Sequence, residues 1–575
     1  MQSANTWPRW ASALIALALI AASCGGGSDS TSDTTEPEAS SETTSFDDAA
    51  AAEQEMTGDD ETDEEEAAPE GGPVVGGTLV VSGSSDIANL DPVTSSSFNT
   101  QYRLDMVYDR LISFETGPDI GYTTRVLEPE LATSWEISDD GLTYTFNLRE
   151  GVKWQDIAPV NGRDFTSADV KATLEGILAE GHQASLMTNV ESIETPDDLT
   201  VVLNLSSPFA PLLNNLASHF MWIMPAEAFE DGYDRTTTVI GTGPYIISER
   251  EVDVSTIYER NPNYWQVDDD GVQLPYIDSI ELIIIKDTQQ AIAAYKAGEI
   301  DIMTNAMSPE LREQLMNDVP DGQFEEWIDA GMGQVGVNLD RPPFDDLRVR
   351  QAISLAIDRQ GMGDTIRGGG TIPSNLSPAL ADYTISLEER EEYLRYDPEE
   401  AIALLAEAGF PDGLDAVMIA SDAYGPQYVA QAEWLVEDLS AVGINVTFEL
   451  LDYATYFGSR WPDQEYDIQF GPQTPFLEPD EWLRLQMGSD GARNWFGVSD
   501  PELDALLAEQ LTIVDVDERA EKIKEIQRYA LENVMDPIPV WTTLSQWTYS
   551  ARLTAFYRHG SYGYANIEQA WLAAE

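Results

Sequence analysis

His182, His219, His559 and Cys24 are all that the chain offers in the way of imidazole and thiol. Histidines so far apart form no HExxH pair, and one cysteine excludes both a CxxC zinc site and a disulfide framework. There is no GxSxG elbow and no Walker loop. Carboxylates are so common, 103 Asp and Glu against 30 Lys and Arg, that no catalytic pair stands out. One GxGxxG run exists, Gly331-Met332-Gly333-Gln334-Val335-Gly336. A dinucleotide loop must follow a strand and open a helix, so that the helix N-terminus meets the pyrophosphate. This run leads instead into Val337-Asn338-Leu339 and Pro342-Pro343, which reads as an extended crossover eased by glycines. The residues point to no enzyme, no cofactor and no metal.

Aromatic residues are the better hint. Fourteen Trp and 23 Tyr suit the walls of a ligand cleft, being large, rigid and partly polar, although most must serve the core or its rim. A net charge of −73 excludes nucleic acid as a partner, because each phosphate contact needs Lys or Arg. Only six of the 30 basic residues are Lys, a balance that favours solubility at high ionic strength.

The N-terminus carries its own chemistry. Residues 1–23 read as an export signal: Arg9, then an apolar run 12 residues long, from Ala11 to Ala22, interrupted only by Ser12. That run is too short for a bilayer core of ~30 Å. It ends Ile20-Ala21-Ala22-Ser23-Cys24-Gly25, which resembles the bacterial lipobox, with Ala21 where Leu is usual. The resemblance implies that Cys24 is lipidated and begins the mature protein. Residues 29–70 hold 17 acids and no Lys or Arg. Residues 24–75 are therefore expected to form a disordered acidic tether, a coil reaching roughly 35–40 Å.

The elements that follow must build more than one lobe, since 575 residues exceed the ~250–300 that one core serves. Thr78-Leu79-Val80-Val81 is a first strand. Residues 134–148 read as a hairpin turning at Asp140-Gly141, with Tyr144, Phe146 and Leu148 on one face. Thr200 to Leu205 is a strand, and Ile280 to Ile285 suits one buried on both faces. Asp397-Pro398 caps a helix whose apolar face is Ile402, Leu405 and Ala408, ended by Gly409. Leu414–Ala420, Gln427–Val442 and Ile444–Leu451 form a βαβ unit, so one lobe is α/β with a parallel pair. A long helix over Asp517–Val534 and strand-like aromatics over Trp541–Tyr549 close the chain.

Several ordered blocks resemble one family. They include Val107-Tyr108-Asp109-Arg110-Leu111, Glu128-Pro129-Glu130-Leu131, the hairpin to Trp154, Gly241-Thr242-Gly243-Pro244-Tyr245, Asn261-Pro262-Asn263-Tyr264-Trp265, and Asn338 with the run from Pro342 to Ala352. The chain from about Gly76 to Phe556 is identified as similar to the extracytoplasmic solute-binding proteins, of oligopeptide, dipeptide and nickel type, that serve ABC importers. The resemblance implies an α/β, periplasmic-binding-protein-like type II fold whose two lobes close on a solute about hinge crossover strands. Lobe one would take 77–331 and 538–575, with 99–234 an inserted subdomain, and lobe two 332–537. It also implies a monomeric receptor, lipid-anchored at the periplasmic or outer face of the membrane, that delivers its solute to ABC permease subunits.

Carried over onto this sequence, Ser96, Ser97 and Phe98 lie in a cleft loop and Gln334 on the crossover strand. Tyr453 and Arg460 match contact positions of the second lobe, Gly471, Gln473 and Thr474 border the ligand, and Trp541 offers a stacking wall. Peptide-binding members place an Asp three residues before the acid of an Asp/Glu-Pro pair, where it meets the peptide ammonium. Here Pro475 stands at that place and no carboxylate follows until Glu478. A peptide remains the favoured ligand, with an oligosaccharide or other non-peptide solute as the alternative. A secreted hydrolase on a retained binding fold is the alternative of another class, and it lacks a catalytic set.

Overall fold

The computed structural model describes residues 72–573, apart from Ala88, Ser96, His182, Ala306, Thr474 and Ser561. The signal, Cys24 and nearly all of the tether lie outside the described residues.

Two large sheets organise the rest. The first has seven strands, in the order Gln323–Ile328, Leu544–Tyr549, Ile302–Met303, Thr78–Gly83, Ser279–Ile284, Ser255–Arg260 and Tyr245–Glu251. Thr78–Gly83 is central because Leu79 and Val81 alternate into the core, both fully buried, while its edges pair in parallel with 279–284 and 302–303. Ser279–Ile284 differs from expectation. Ile280 and Leu282 are buried, but Glu281 and Ile283 on the other face are only half-buried, so one face alone meets the main core.

Between these strands the chain inserts a four-stranded antiparallel sheet, Ala132–Ile137, Thr143–Leu148, Thr200–Leu205 and Val190–Asp197 in spatial order. Its hairpin turns at Gly141, whose φ of 68° favours glycine, while the Asp140 carboxylate accepts from the Leu142 amide. Tyr144, Phe146 and Leu148 face inward, as do Val201, Leu203 and Leu205.

The second large sheet runs Ile444–Leu451, Leu414–Ser421, Ile468–Gln473, Met332–Val337, Ile538–Trp541. Its first two strands are parallel over eight residues and are joined by the helix Pro426–Ala441, the expected βαβ unit. The helix Pro398–Glu407 is capped by the Asp397 carboxylate, which accepts from the Glu400 amide, and it is followed by Gly409 at φ 101°. Its buried stripe is Ala401 and Leu405, four apart. Ile402 lies 100° further round and is 49% exposed, which corrects the expected face. The last long helix, Val516–Tyr529, passes into a wider π-turn over Ala530–Val534.

The chain crosses between the sheets twice. Gln323–Ile328 belongs to the first and Met332–Val337 to the second; Ile538–Trp541 returns in the second and Leu544–Tyr549 in the first. The return passes at Thr542-Thr543, so residues 538–541, expected in the first lobe, are hydrogen-bonded in the second sheet. The GxGxxG run is the crossover strand itself, buried at all six positions from Met332 to Val337. Gly336 is needed because a Cβ there would collide with the Phe496 ring. No helix among the described residues is long and apolar enough to cross a membrane.

Candidate ligand-binding cleft

Two adjoining cavities, about 340 and 460 Å³, open between the two large sheets and share Phe98, Tyr424 and Pro475. The first is walled mainly by the second sheet and its loops. Met332–Val337 and Ile468–Gln473 are antiparallel, with Gln334 opposite Gly471 and Met332 opposite Gln473. Gln334 and Gln473 therefore lie on one face as diagonal neighbours. The Gln334 Nε2 donates to Gln486 Oε1 at 3.1 Å, while the Oε1 atoms of Gln334 and Gln473 are buried with no donor among the described residues.

The turn from Tyr453 to Trp461 supplies aromatic rings. Tyr453 and Phe457 stack at 5.4 Å and 5°, and Phe457 and Trp461 meet Trp495 edge-on at 5.5 and 4.9 Å. Ser97 borders this cavity as N-cap of the helix Phe98–Leu104, its hydroxyl accepting from the Thr100 amide. Phe98 packs on His219 at 4.4 Å.

The second cavity is bordered by Trp327, Asp329, Arg367, Trp547 and Arg558. The Arg558 guanidinium lies 3.5 Å from the Trp547 ring and 4.2 Å from Trp327. Arg367 lies over Tyr428 at 4.5 Å and donates to Gln431 Oε1 at 2.6 Å. The Asp329 carboxylate accepts from the Gly331 amide at 2.6 Å and from the Ser545 hydroxyl.

Of the residues singled out in the sequence, Ser97, Phe98, Gln334, Tyr453 and Gln473 come together at the first cavity. Ser96 and Thr474 lie outside the described residues. Gly471 is in the same strand but backs onto the Tyr456 hydroxyl, leaving no room for a side chain. Arg460 is drawn away from the cavity by Glu449 at 3.0 Å and Glu465 at 3.6 Å. Trp541 is 3% exposed in the second core, its ring against Gly363 and its Nε1 donating to Gly369 O at 3.1 Å; it is not at either cavity.

Pro475 stands at the junction of the cavities, and Glu478 does not replace the missing carboxylate. It is buried in an ion pair with Arg519 and also accepts from the Asn214 side chain and the Asp480 amide. Although burial works against its charge, Arg519 holds its carboxyl below the usual range. Tyr424, Trp461, Trp495, Trp547 and Arg558 were not foreseen. They come from separate loops and turns and, for Trp547, the strand Leu544–Tyr549, and no spacing in the sequence joins them.

Two lobes about a double crossover, with an aromatic cleft between them, define the class of hinged solute-binding proteins. Known proteins agree. Residues 126–494 match the family described as bacterial extracellular solute-binding proteins, family 5, middle region, and the chain belongs to that family. Heme-binding protein A of Haemophilus influenzae is 30% identical over 469 residues, covering 76% of this chain and 81% of that one. A dipeptide-binding protein of Pseudomonas aeruginosa is 28% identical over 525 residues, covering 85% and 95%. Among solved structures, the periplasmic binding protein DppA of Helicobacter pylori in complex with the peptide STSA superposes with a TM-score of 0.72. It shares 23% identity and covers 87% of this chain and 99% of that one. The family is one of solute-binding proteins, not of enzymes.

Proposed function

We propose that this protein is a receptor that captures a peptide in the cleft and passes it to an ABC import permease. The lobes, 77–331 with 543–575 and 332–542, would close about the crossovers. One observation carries the reading. Gln334 and Gln473 both line an aromatic-walled cavity bordered from both lobes, and each keeps a buried amide oxygen without a donor among the described residues. An orphaned buried acceptor costs about 1–3 kcal/mol, and a ligand N–H at each atom would recover it. A peptide backbone offers N–H groups at regular spacing, and the rings of Tyr453, Phe457 and Trp495 offer a pocket for a side chain. The dipeptide-binding relative supports the same ligand class.

Thermal-shift and calorimetric titration of the purified protein with a tripeptide pool and an oligosaccharide pool tests this. Stabilisation by peptides supports the reading, and stabilisation by sugars alone overturns it. We also propose that Cys24 anchors the receptor to the outer face of the membrane. Washed membranes should retain the native chain and release Cys24→Ala; equal retention of both would refute the anchor.

A further inference from the structure

We infer that the second cavity is an anion-recognition site, in which Arg558 takes a carboxylate of the bound solute. The ligand is then selected for negative charge and not for a free ammonium. This rests on the receptor reading above and narrows its ligand class.

Arg558 is 8% exposed, and its Nε and Nη1 are buried without an acceptor among the described residues. The other buried arginines are all served. Arg103 reaches the Ser85 carbonyl and Arg390 those of Ser386 and Ile372. Arg350 reaches the carbonyls of Val534, Phe344 and Asp345. Arg359 reaches those of Pro539, Ser354 and Leu394. Arg110 and Arg519 have carboxylates. Arg558 alone among them is held only by aromatic faces. A buried cation without an acceptor is costly, and a bound anion removes that cost.

The carboxylates nearby do not serve it. Asp329 is engaged by the Gly331 amide and the Ser545 hydroxyl, Glu325 by the Tyr549 hydroxyl, and neither forms an ion pair with Arg558 among the described residues. Arg367 borders the same cavity. Two guanidiniums and one carboxylate thus face this space in a chain of net charge −73. The Trp547 and Trp327 rings lie against the guanidinium and accept none of its N–H groups in plane, and a planar, bidentate acceptor such as a carboxylate matches those groups. Pro475, at the mouth between the cavities, offers an ammonium nothing.

The test uses calorimetry on the full chain with Ala-Ala-Ala, its C-terminal amide, its N-acetyl form and Ala-Glu-Ala-amide. A parallel tryptophan-fluorescence titration compares glutarate with neutral glutaramide. Amidation should weaken Ala-Ala-Ala at least tenfold, and N-acetylation less than threefold. Recovery in Ala-Glu-Ala-amide would assign the carboxylate to a side chain, and no recovery to the terminus. Arg558→Gln should abolish the acid–amide difference and the glutarate response, and Arg558→Lys should retain part of both. Without ligand, Arg558→Gln should melt no lower than the native chain, whereas a merely structural arginine would lower the melting point. Equal binding of acid and amide, with a glutarate response unchanged in Arg558→Gln, overturns the inference. Loss of binding on acetylation alone overturns it too, in favour of an ammonium anchor. If no peptide binds yet glutarate still reports through Arg558, the peptide reading falls and this one stands; if neither binds, both fall.

Discussion

Two buried arginines sit among aromatic rings in this molecule, and their surroundings are opposite. Arg110 lies 3.9 Å from the Tyr562 ring and 4.5 Å from Trp222. It donates to Glu130 at 3.1 Å and to Asp105 at 3.4 Å. Asp105 also accepts from the Tyr564 amide, while the neighbouring Asp109 accepts from Thr242 and the Trp265 indole. Arg558 has the rings, and among the described residues its Nε and Nη1 have no acceptors. Where every polar atom is matched internally, the network holds the first lobe together and has nothing left for a solute. Where atoms are unmatched beside a cavity, the site is built to be completed from outside.

The strongest way to break this contrast is Arg110→Met. It leaves Glu130 and Asp105 buried without their cation, and the expected loss of stability is about 3–5 kcal/mol. Urea unfolding should show it, while the protein that remains folded binds ligand as before. A loss under about 1 kcal/mol would mean that the network is dispensable.

The same network predicts how stability follows pH, an effect smaller than that of Arg110→Met. Burial, opposed by Arg110, pushes the Glu130 carboxyl up to about 8, and burial pushes Glu568 up to about 7. A raised carboxyl contributes its stability below its unfolded value, and that contribution is lost as pH rises through the folded one. His559 works the other way. Burial pushes it down to about 4, so its contribution is present above about 6.5 and is lost as pH falls through 4. Between about pH 6.5 and 8 only the carboxyls change, and the melting temperature should fall. In Glu130→Gln the fall between about pH 7 and 8 should be shallower, the remainder coming from buried Glu481 and Asp536, whose carboxyls burial also pushes well up. A profile identical to the native one would remove Glu130 from the account.

The contrast also explains what could be read from the sequence. Asp109, Arg110, Glu130, Thr242 and Asn261, which carried the resemblance, are buried scaffold residues of the first lobe. Gly241 and Gly243 belong with them, since a Cβ at either would strike the Val107 backbone. Asn338 donates to the carbonyls of Gln464 and Tyr466. Such residues answer to the backbone around them and keep a recognisable order, so the fold was legible. The cleft was legible chiefly where it uses the crossover strand and its neighbour, at Gln334 and Gln473. Trp495, Trp547 and Arg558 meet through tertiary structure, with nothing local to announce them. Trp541 misled because an aromatic residue on a returning strand suits a cleft and a core equally well, and here the glycines at 363 and 370 open room for it in the core.

On the cleft side, Tyr453→Ala should weaken peptide binding about tenfold. The residue is half exposed and stacks on the turn's own Phe457, so unfolding free energy should change by less than about 1 kcal/mol. A stability loss as large as the affinity loss would make the aromatic wall part of the scaffold.

The smallest effect is the sharpest comparison, because it sets one residue type in both situations. Gln527 is saturated: its Nε2 donates to the Tyr383 carbonyl at 2.6 Å and to Ile523 at 3.0 Å, and its Oε1 accepts from Ser374 and the Ile385 amide. Gln473 is also buried, yet its Oε1 has no donor among the described residues. Gln527→Leu strands several buried partners at once and should cost about 2–4 kcal/mol of stability. Gln473→Leu removes a polar atom that was already unsatisfied. Its unfolding free energy should stay within about 0.5 kcal/mol of native or rise. Peptide affinity should nevertheless fall roughly three- to tenfold, the loss of one net hydrogen bond of about 0.5–1.5 kcal/mol. If Gln473→Leu instead destabilises the free protein and leaves affinity alone, its oxygen is part of the fold and the cleft lies elsewhere.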